Sequence, residues 1–497
     1  MLSRVLARRV RAAAALCAAF AAVVACNASG GHGVLPPLPR QTDARPNVVF
    51  VLTDDLSSDL IRYMPHVQAL ARAGVAFSNY FVVDSLCCPS RAAIFTGRYP
   101  HNTHVLVNAG RRGGYQAFER AHDESQTFAV SLHAAGYRTG FMGKYLNLYD
   151  PLKDPPARGW DEWDVTGTEG YREYRYHLNE NGHVHEYGSD PSDYLTDVLA
   201  EKATNFVASS ATLGKPFALE VATFAPHEPY VPAEVDKGTF PSLQAPRGPT
   251  FDRLPAGAPR WLAAMPALSS TDIAGIDRKY RLRVEAVQSV DRMVAELEQE
   301  LAAVHELPNT YFVFSSDNGF HMGQYRLLPG KQTAFDTDIR VPLVVTGPGV
   351  PAGRTVNSLA SSIDLAPTFD QIAGAVPAEP RDGTSLLSVL HGQPPTNTWR
   401  RAVLIEHHGP NQQPGDPDRQ PNRSGNPPSY EAMRTATSLY VEYVDGERDY
   451  YDLRRDPLEL HNLAADLSAY QLAVLHARLT ALAQCRGATC QSAAAAA

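Results

Sequence analysis

Several short apolar stretches of the sequence end in polar residues, and this repeated pattern limits the possible folds more than any other feature. The first is a continuous apolar run from Val48 to Leu52, which indicates a strand buried on both faces. Open α/β sheets gather their functional side chains at the carboxyl ends of their strands. We therefore expect the polar residues that follow four such strands to lie together: Asp54 with Asp55, Lys144, His227, and Asp317 with Asn318.

Helical stretches separate these strands, so the order of elements predicts a doubly wound α/β domain. Two short segments, "MPHVQALARAG" and "TFAVSLHAAG", and a longer one from Tyr280 to His305 fit helices, and "RVPLVVTGPGV" adds a further strand. The expected fold class is α/β, with a large, mostly parallel sheet sandwiched by helices. This domain is expected to span residues 46–398.

The composition changes near residue 400. Strand-like runs such as "RAVLIEHHG", "SLYVEYVDG" and "RDYYDLRRDP" are separated by turns and followed by an alanine- and leucine-rich stretch. This pattern predicts a small antiparallel sheet with a helix, over residues 399–497. Two long polar, proline-rich stretches, 232–260 and 408–430, are expected to be surface loops.

The N-terminal 26 residues differ from the rest and predict export. "MLSRVLARRVR" is basic, and "AAAALCAAFAAVVAC" is an apolar stretch too short for a transmembrane helix. The ending "VVAC" resembles a bacterial lipobox, in which Cys26 would carry a lipid anchor, with an ordinary signal peptide as the alternative. Residues 27–45 fit a flexible tether. The expected location is the bacterial cell surface or periplasm, or the exterior if the chain is not anchored.

Charge and cysteine usage narrow the function further. The net charge of -8, without a basic block in the mature part, argues against nucleic-acid binding. Cys485 and Cys490 are close enough in sequence to close a small disulfide loop, with free thiols as the alternative. Cys87 and Cys88 have no plausible disulfide partner, because a bond between adjacent cysteines is strained. At least one of them is therefore expected to have a chemical role.

The acidic strand ends predict a metal site. Four residues there offer oxygen ligands: Asp54, Asp55, Asp317 and Asn318. Such a set, without the histidines and cysteines typical of zinc sites, favours calcium or magnesium. For Asp54 and Asp55 taken alone, an acidic helix N-cap is the better explanation. The Asp-Asn pair on a distant strand strengthens the metal interpretation.

The segment "CCPSRAAIFTGR" carries the motif C-x-P-S-R followed by T-G-R. In this motif the chain resembles the type I, formylglycine-dependent sulfatases of the alkaline phosphatase-like superfamily, and the resemblance extends roughly from Pro46 to Leu463. It implies that Cys87 is oxidised after translation to formylglycine (3-oxoalanine), whose hydrate is the nucleophile. It also implies a maturation partner, the formylglycine-generating enzyme, which reads Pro89 and Arg91.

The same resemblance assigns roles to the strand-end residues. It implies one calcium ion, held by Asp54, Asp55, Cys87, Asp317 and Asn318. Arg91 would anchor the hydrate, since its planar guanidinium suits oxyanions. Lys144 and Lys331 would neutralise sulfate oxygens, and His227 would protonate the departing alcohol. Taken singly, each lysine would be a solvated surface residue and His227 a loop histidine, so their shared placement at strand ends carries the assignment.

One position departs from the family pattern. Arylsulfatase-type members carry a histidine two residues after the first of these lysines, where this chain has Leu146. The form "GKYLN", like "YPHN", "PHEPY" and "GFHMGQ", resembles the N-acetylglucosamine-6-sulfatase branch. His321 is our candidate for the missing acid/base or for a substrate contact, with a hydrogen-bonded loop histidine as the alternative. Cys88 is expected to be a small buried thiol.

The resemblance implies hydrolysis of sulfate monoesters. The expected substrate is the 6-O-sulfate of N-acetylglucosamine or of glycosaminoglycan fragments. Three alternatives stay open: a generic arylsulfatase, a phosphonate or phosphate monoester hydrolase on the same fold, and an inactive lipoprotein that binds sulfated glycans. The intact Cys87, Arg91 and two lysines argue against the last, because a decayed enzyme should have lost some of them.

Overall fold

The computed structural model describes residues 45–410, 416 and 419–497. The predicted leader, 1–26, and the predicted tether up to residue 44 lie outside these residues. Within the described part of the chain, no helix combines the length and the apolarity needed to cross a membrane.

A large mixed sheet forms the centre of the fold. The first twelve strands are β1 (Asn47–Thr53), β2 (Val75–Phe77), β3 (Tyr80–Phe81), β4 (Arg138–Lys144), β5 (Glu162–Thr166), β6 (His177–Glu180), β7 (His183–Glu186), β8 (Phe217–Ala222), β9 (Thr310–Ser316), β10 (Leu343–Thr346), β11 (Arg354–Val356) and β12 (Ala360–Ser361). Ten of them form one sheet in the order β11-β2-β10-β9-β1-β8-β4-β5-β6-β7, and β3 pairs with β12.

The centre of this sheet is parallel. Strands β9, β1, β8, β4 and β5 run in one direction, so their carboxyl ends meet at one edge. Val48 of β1 lies between Ala218 of β8 and Tyr311 of β9. The pairs β9–β10 and β5–β6 are antiparallel. The expected α/β class is confirmed, and the antiparallel pairing of the outer strands adds to it.

Helices cover both faces of the sheet, and the last two helices of the chain pack instead on the C-terminal strands described below. They are α1 (Pro65–Ala73), α2 (Cys87–Thr96), α3 (Pro100–Thr103), α4 (Gly114–Arg120), α5 (Phe128–Ala134), α6 (Leu195–Leu213), α7 (Arg260–Ala263), α8 (Ser270–Ala303), α9 (Asp336–Ile339), α10 (Leu365–Ala373), α11 (Leu387–Leu390), α12 (Ala469–Ala483) and α13 (Ala488–Ala496). Alternate residues of β1 enter two apolar cores, Phe50 one and Val51 the other. Burial on both faces explains why β1 is continuously apolar.

Some elements differ from their prediction. The long helix α8 begins at Ser270 and not near Tyr280, because Ser269 and Asp272 form a capping box that starts it earlier. Strand β5 and the β6–β7 hairpin were not predicted. All four residues of β7 are exposed, so this strand lacks the apolar pattern that indicates a buried strand.

The C-terminal part forms a second, four-stranded antiparallel sheet. Its strands are β13 (Ala402–His407), β14 (Tyr430–Thr435), β15 (Ser438–Tyr443) and β16 (Arg448–Asp452). Strand β14 follows the predicted loop directly and was missed, whereas the predicted helix corresponds to α12. The predicted disulfide between Cys485 and Cys490 is present. The domain boundary at residue 399 stays a prediction.

Candidate active site

Cys87 is the first residue of α2, and its side chain is fully buried. Its Sγ donates to Oδ1 of Asp54 at 3.2 Å and accepts from Nζ of Lys331 at 2.8 Å. Asp54 directly follows β1, and Lys331 lies in the loop after β9. Because backbone N–H groups in the first turn of a helix favour negative charge, this position suits an anionic group.

The two acids after β1 are each paired with a lysine. Asp54 accepts from Nζ of Lys144, the last residue of β4, and Oδ1 of Asp55 accepts from Nζ of Lys331 at 2.7 Å. All four side chains are buried. Burial alone would raise the pKa of Asp54, but the neighbouring positive charges, that of Lys144 foremost, lower it below its usual range.

Arg91 links helix α2 to two strands. Its Nε donates to Oδ2 of Asp317 at 2.8 Å, and its Nη1 donates to the backbone oxygen of Lys144 at 2.6 Å. The hydroxyl of Ser90 donates to the backbone oxygen of Asp317 at 2.5 Å. Burial, reinforced by the charge of Asp54, raises the pKa of Asp317 to about 6 although Arg91 opposes the shift. The helix is therefore held at the ends of β4 and β9.

The oxygen donors of this cluster, on Asp54, Asp55 and Asn318, are of the kind that holds a hard divalent cation. Ligand atoms of Asp54, Asp55, Cys87 and His227 all lie within 4.8 Å of one another. Asn318 donates through Nδ2 to Oδ1 of Asp55 at 2.6 Å. Its amide Oδ1 is buried and has no hydrogen-bond partner among the described residues. A buried amide oxygen without a donor is suited to bind a cation.

His227 adjoins this cluster beyond the end of β8. Its Nδ1 lies 2.7 Å from the carbonyl oxygen of Glu228, and its Nε2 lies 3.5 Å from Oδ2 of Asp55. Because a carbonyl oxygen only accepts, Nδ1 carries a hydrogen. Nε2 is then the nitrogen that faces the charged groups. The ring is held further by Tyr171, whose centroid is 4.5 Å away.

His321 lies next to the site. Its backbone pairs with that of Gly330, the residue directly before Lys331. Nδ1 lies 2.9 Å and 3.0 Å from the two carboxylate oxygens of Asp338, so it carries the hydrogen. Nε2 is buried without a hydrogen-bond partner in the described chain. His321 is thus a firmly oriented ring with one unused nitrogen.

Two positions near the motif are apolar or inert. Leu146, where related sequences carry a histidine, is buried and lines a small cavity beside Lys144 and Phe224. Cys88 is buried as expected and free of any disulfide. Burial raises the pKa of its thiol to about 12, so it stays protonated. Its backbone N–H donates to Oδ1 of Asn108 at 2.9 Å.

The sequence did not point to three further residues of the site: Arg283, Asn108 and Tyr171. Arg283 donates through Nη2 to the backbone oxygen of Asp55 at 2.6 Å, where Asp55 has a φ of 63°. It thereby supports a backbone conformation that a non-glycine residue adopts at a cost. Arg283 lies on the buried stripe of α8, and a charged residue on such a stripe is the signal that could have revealed it.

Two family models match this chain. The model described as "Sulfatase" matches residues 46–375, which is more than half of the chain. The chain belongs to the sulfatase family. The model of the C-terminal part of N-sulphoglucosamine sulphohydrolase matches residues 323–485 of this sulfatase. The expected family and the expected enzyme class, sulfuric ester hydrolase, are confirmed.

Individual proteins similar to this sulfatase agree with the family. Human N-acetylglucosamine-6-sulfatase is 35% identical over 480 residues, covering 90% of this chain and 86% of the human protein. A putative extracellular sulfatase of Caenorhabditis elegans is 34% identical over 378 residues, covering 73% of this chain and 53% of that one. A solved structure with D-glucosamine-2-N,6-O-disulfate as its bound substrate superimposes with a TM-score of 0.74 at 24% identity, covering 88% and 97% of the two chains. This last likeness supports the fold.

Proposed function

We propose that this sulfatase removes sulfate from sugars, with the 6-O-sulfate of N-acetylglucosamine or of glycosaminoglycan fragments as its substrate. The observation that carries the proposal is the position of Cys87 Sγ between the carboxylate of Asp54 and the ammonium of Lys331. The similarity to N-acetylglucosamine-6-sulfatases and the neighbour with a 6-O-sulfated glucosamine support the choice of sugar.

In the mature enzyme residue 87 would be formylglycine, produced by the formylglycine-generating enzyme. The modified residue supplies the oxygen nucleophile. Asp54, Asp55, Asp317, Asn318 and residue 87 would hold one calcium ion. Its positive charge would favour an ionised attacking oxygen and offset the charge of the sulfate group.

Three cationic side chains complete the anion site. Arg91 anchors residue 87 from the same helix, and its bonds to Asp317 and to the Lys144 backbone keep the guanidinium in one orientation. The ammonium groups of Lys144 and Lys331 lie within the same buried cluster and neutralise sulfate oxygens. Buried cations act strongly here because little solvent screens them.

His227 delivers the proton that the departing sugar alcohol needs. Its Nδ1 hydrogen is engaged by the Glu228 carbonyl, so the proton is donated from Nε2, on the side of Asp55. To act as this donor, the ring carries a hydrogen on both nitrogens.

His321 is proposed as a second acid/base or as a substrate contact, because Asp338 orients its ring and leaves Nε2 without a partner in the described chain. A His321→Ala variant in pre-steady-state sulfate release tests this role. Slower release supports it, and unchanged turnover on sugar sulfates removes His321 from the mechanism.

We further propose that the protein is exported and held at the bacterial surface or periplasm by a lipid on Cys26. The basic and apolar leader of the first 26 residues supports export, as does the similarity to a putative extracellular sulfatase. We also propose that the mature chain consists of a catalytic domain, 46–398, and a C-terminal subdomain, 399–497.

The decisive experiment combines mass spectrometry with a substrate panel. The Cys87 peptide of protein from the native host should have the mass of formylglycine. The enzyme should then prefer 6-sulfated N-acetylglucosamine over the 2-, 3- and 4-sulfated sugars and over an aryl sulfate. An unmodified thiol would defeat the mechanism. A higher kcat/KM for a phosphate or phosphonate ester than for a sulfate ester of the same alcohol would defeat the substrate class.

A further inference from the structure

A glutamate lies in the middle of the central strand β8, where its neighbours are apolar. Glu220 is 1% exposed and stands between Phe50 of β1 and Phe141 of β4. Neither of its carboxyl oxygens has a hydrogen-bond partner in the described chain. A buried carboxyl without a partner destabilises a fold, and a side chain such as methionine would fill the same space without that cost.

The carboxyl points to the side of the sheet that carries the nucleophile helix. Side chains alternate along a strand, so Glu220 shares a face with Ala218 and Ala222. These two alanines belong to the same apolar core as Ala92 and Phe95 of α2. Phe141, the strand neighbour of Glu220 on β4, packs its ring 5.9 Å from that of Phe95, so the helix that begins with Cys87 covers this face of the sheet.

Two other buried polar groups in this layer also lack partners. Nη2 of Arg91 has none among the described residues, although Nε and Nη1 of the same guanidinium are both bonded. The hydroxyl of Tyr145 has none either. The Tyr145 ring packs against Phe95 of α2 and Phe141 of β4, at centroid distances of 5.2 Å and 5.4 Å, and Phe141 is the strand neighbour of Glu220. The charge of Arg91 also lowers the pKa of Glu220, so the three groups belong to one layer.

Burial raises the pKa of Glu220 to about 8, with Arg91 opposing the shift. The carboxyl is thus mostly protonated at neutral pH and both donates and accepts a hydrogen bond. A buried water needs several polar partners. This layer offers two unpaired donors, on Arg91 and Tyr145, and a carboxyl group on Glu220 that can donate or accept.

From this juxtaposition we propose that Glu220 is a positioning residue, which holds the guanidinium of Arg91 from the sheet side through a water-bridged hydrogen bond to Nη2. The inference rests on the proposed function, because Arg91 matters there as the anchor of residue 87. Asp317 and the Lys144 carbonyl restrain Nε and Nη1 of the guanidinium, and Glu220 restrains the remaining nitrogen. The cost in stability of an unpaired acid is then the consequence of a catalytic requirement.

The test compares Glu220→Met with Glu220→Gln in the full-length, matured enzyme, with rates normalised to the formylglycine content of each preparation. Glutamine keeps the hydrogen-bonding atoms, so its kcat on the sugar sulfate should stay within threefold of wild type. Methionine removes them and fills the core. We expect its kcat to fall at least tenfold with KM within twofold, and its melting temperature to equal or exceed that of wild type.

Leu219→Met is the matched control, since this neighbouring residue of β8 belongs to the core on the opposite face. It should leave kcat unchanged. The inference is overturned if Glu220→Met keeps the wild-type kcat, or if both Glu220 variants lose activity together with melting temperature. A wild-type enzyme with modified Cys87 but no activity on any sulfate ester would instead refute the proposed function.

Discussion

The carboxyl edge of the large sheet and the core of the small sheet are each stabilised by a different kind of interaction. Around Cys87, buried side chains are charged and are paired with one another, as in Lys331 with Asp55. In the small sheet, β13 contributes the buried apolar residues Val403, Leu404 and Ile405. Near the C-terminus, a disulfide joins Cys485 to Cys490.

From this difference we expect the first region to serve chemistry and the second to serve stability. Burying an ion pair costs hydration energy that the attraction between the charges offsets only in part, whereas apolar burial and a covalent link stabilise directly. Changes at the charged edge that leave its ion pairs intact should therefore lower activity without lowering stability much. Changes in the C-terminal region should have the reverse effect.

The largest effect should come from Cys87→Ala. Without the residue that becomes the nucleophile, kcat on an aryl or sugar sulfate should fall at least about a thousandfold, with little change in melting temperature. Cys88→Ala is the control at the adjacent position, and it should keep kcat within a few-fold. Equal losses in the two variants would contradict the separation of their roles.

His227→Ala should come next. Loss of a general acid should reduce kcat about a hundredfold for a sugar sulfate, whose alcohol leaves poorly. The loss should be smaller for a nitrophenyl sulfate, because a good leaving group needs less protonation. Rates measured over a series of aryl leaving groups should thus become more dependent on leaving-group pKa. An equal loss for every substrate would argue that His227 binds and does not protonate.

Removal of the cation should have an intermediate effect. After exhaustive chelation, verified by elemental analysis, activity should fall at least about tenfold and the melting temperature should drop, because a ligand that binds the folded state stabilises it. Added calcium should restore both. Full activity in verified metal-free protein would exclude a role for the ion.

The smallest effect on activity should come from opening the disulfide. Replacing both Cys485 and Cys490 by serine removes a short loop constraint, which is worth roughly 2 kcal/mol. Thermal unfolding should shift by only a few degrees in a protein of this size. Turnover should stay within twofold of wild type. A tenfold loss of kcat would contradict the view that the C-terminal region contributes to stability and not to catalysis.

The strands that sequence alone predicted most directly are those that are buried on both sides. The runs Val48 to Leu52 and Tyr311 to Phe314 are continuously apolar because helices cover both faces of the sheet. The exposed hairpin of β6 and β7 has no such pattern. Its strands are specified by pairing across the hairpin and not by burial, so the sequence carried no clear signal.

The candidate site was predictable to a similar degree. Two of its acids, Asp54 and Asp317, directly follow recognisable strands, and Lys144 is the last residue of another. The parallel arrangement of these strands brings the three residues together. Arg283 and Glu220 could not be assigned a role, because their partners come from distant segments. Arg283 donates to the backbone oxygen of Asp55, and the charge of Arg91 opposes the rise in the pKa of Glu220. Such relations depend on packing and leave no local pattern.

The carbonyl oxygen of Cys485 accepts a hydrogen bond from the side chain of Asn102 at 2.9 Å, and Nε2 of His101 lies 2.9 Å from the same oxygen. Both residues lie shortly after the carboxyl end of α2. Because a ribosome makes the chain from its N-terminus, this segment acquires its last partner only when synthesis is nearly finished. A chain cut short before Cys485 would carry the whole large sheet and yet leave the segment after α2 without this partner.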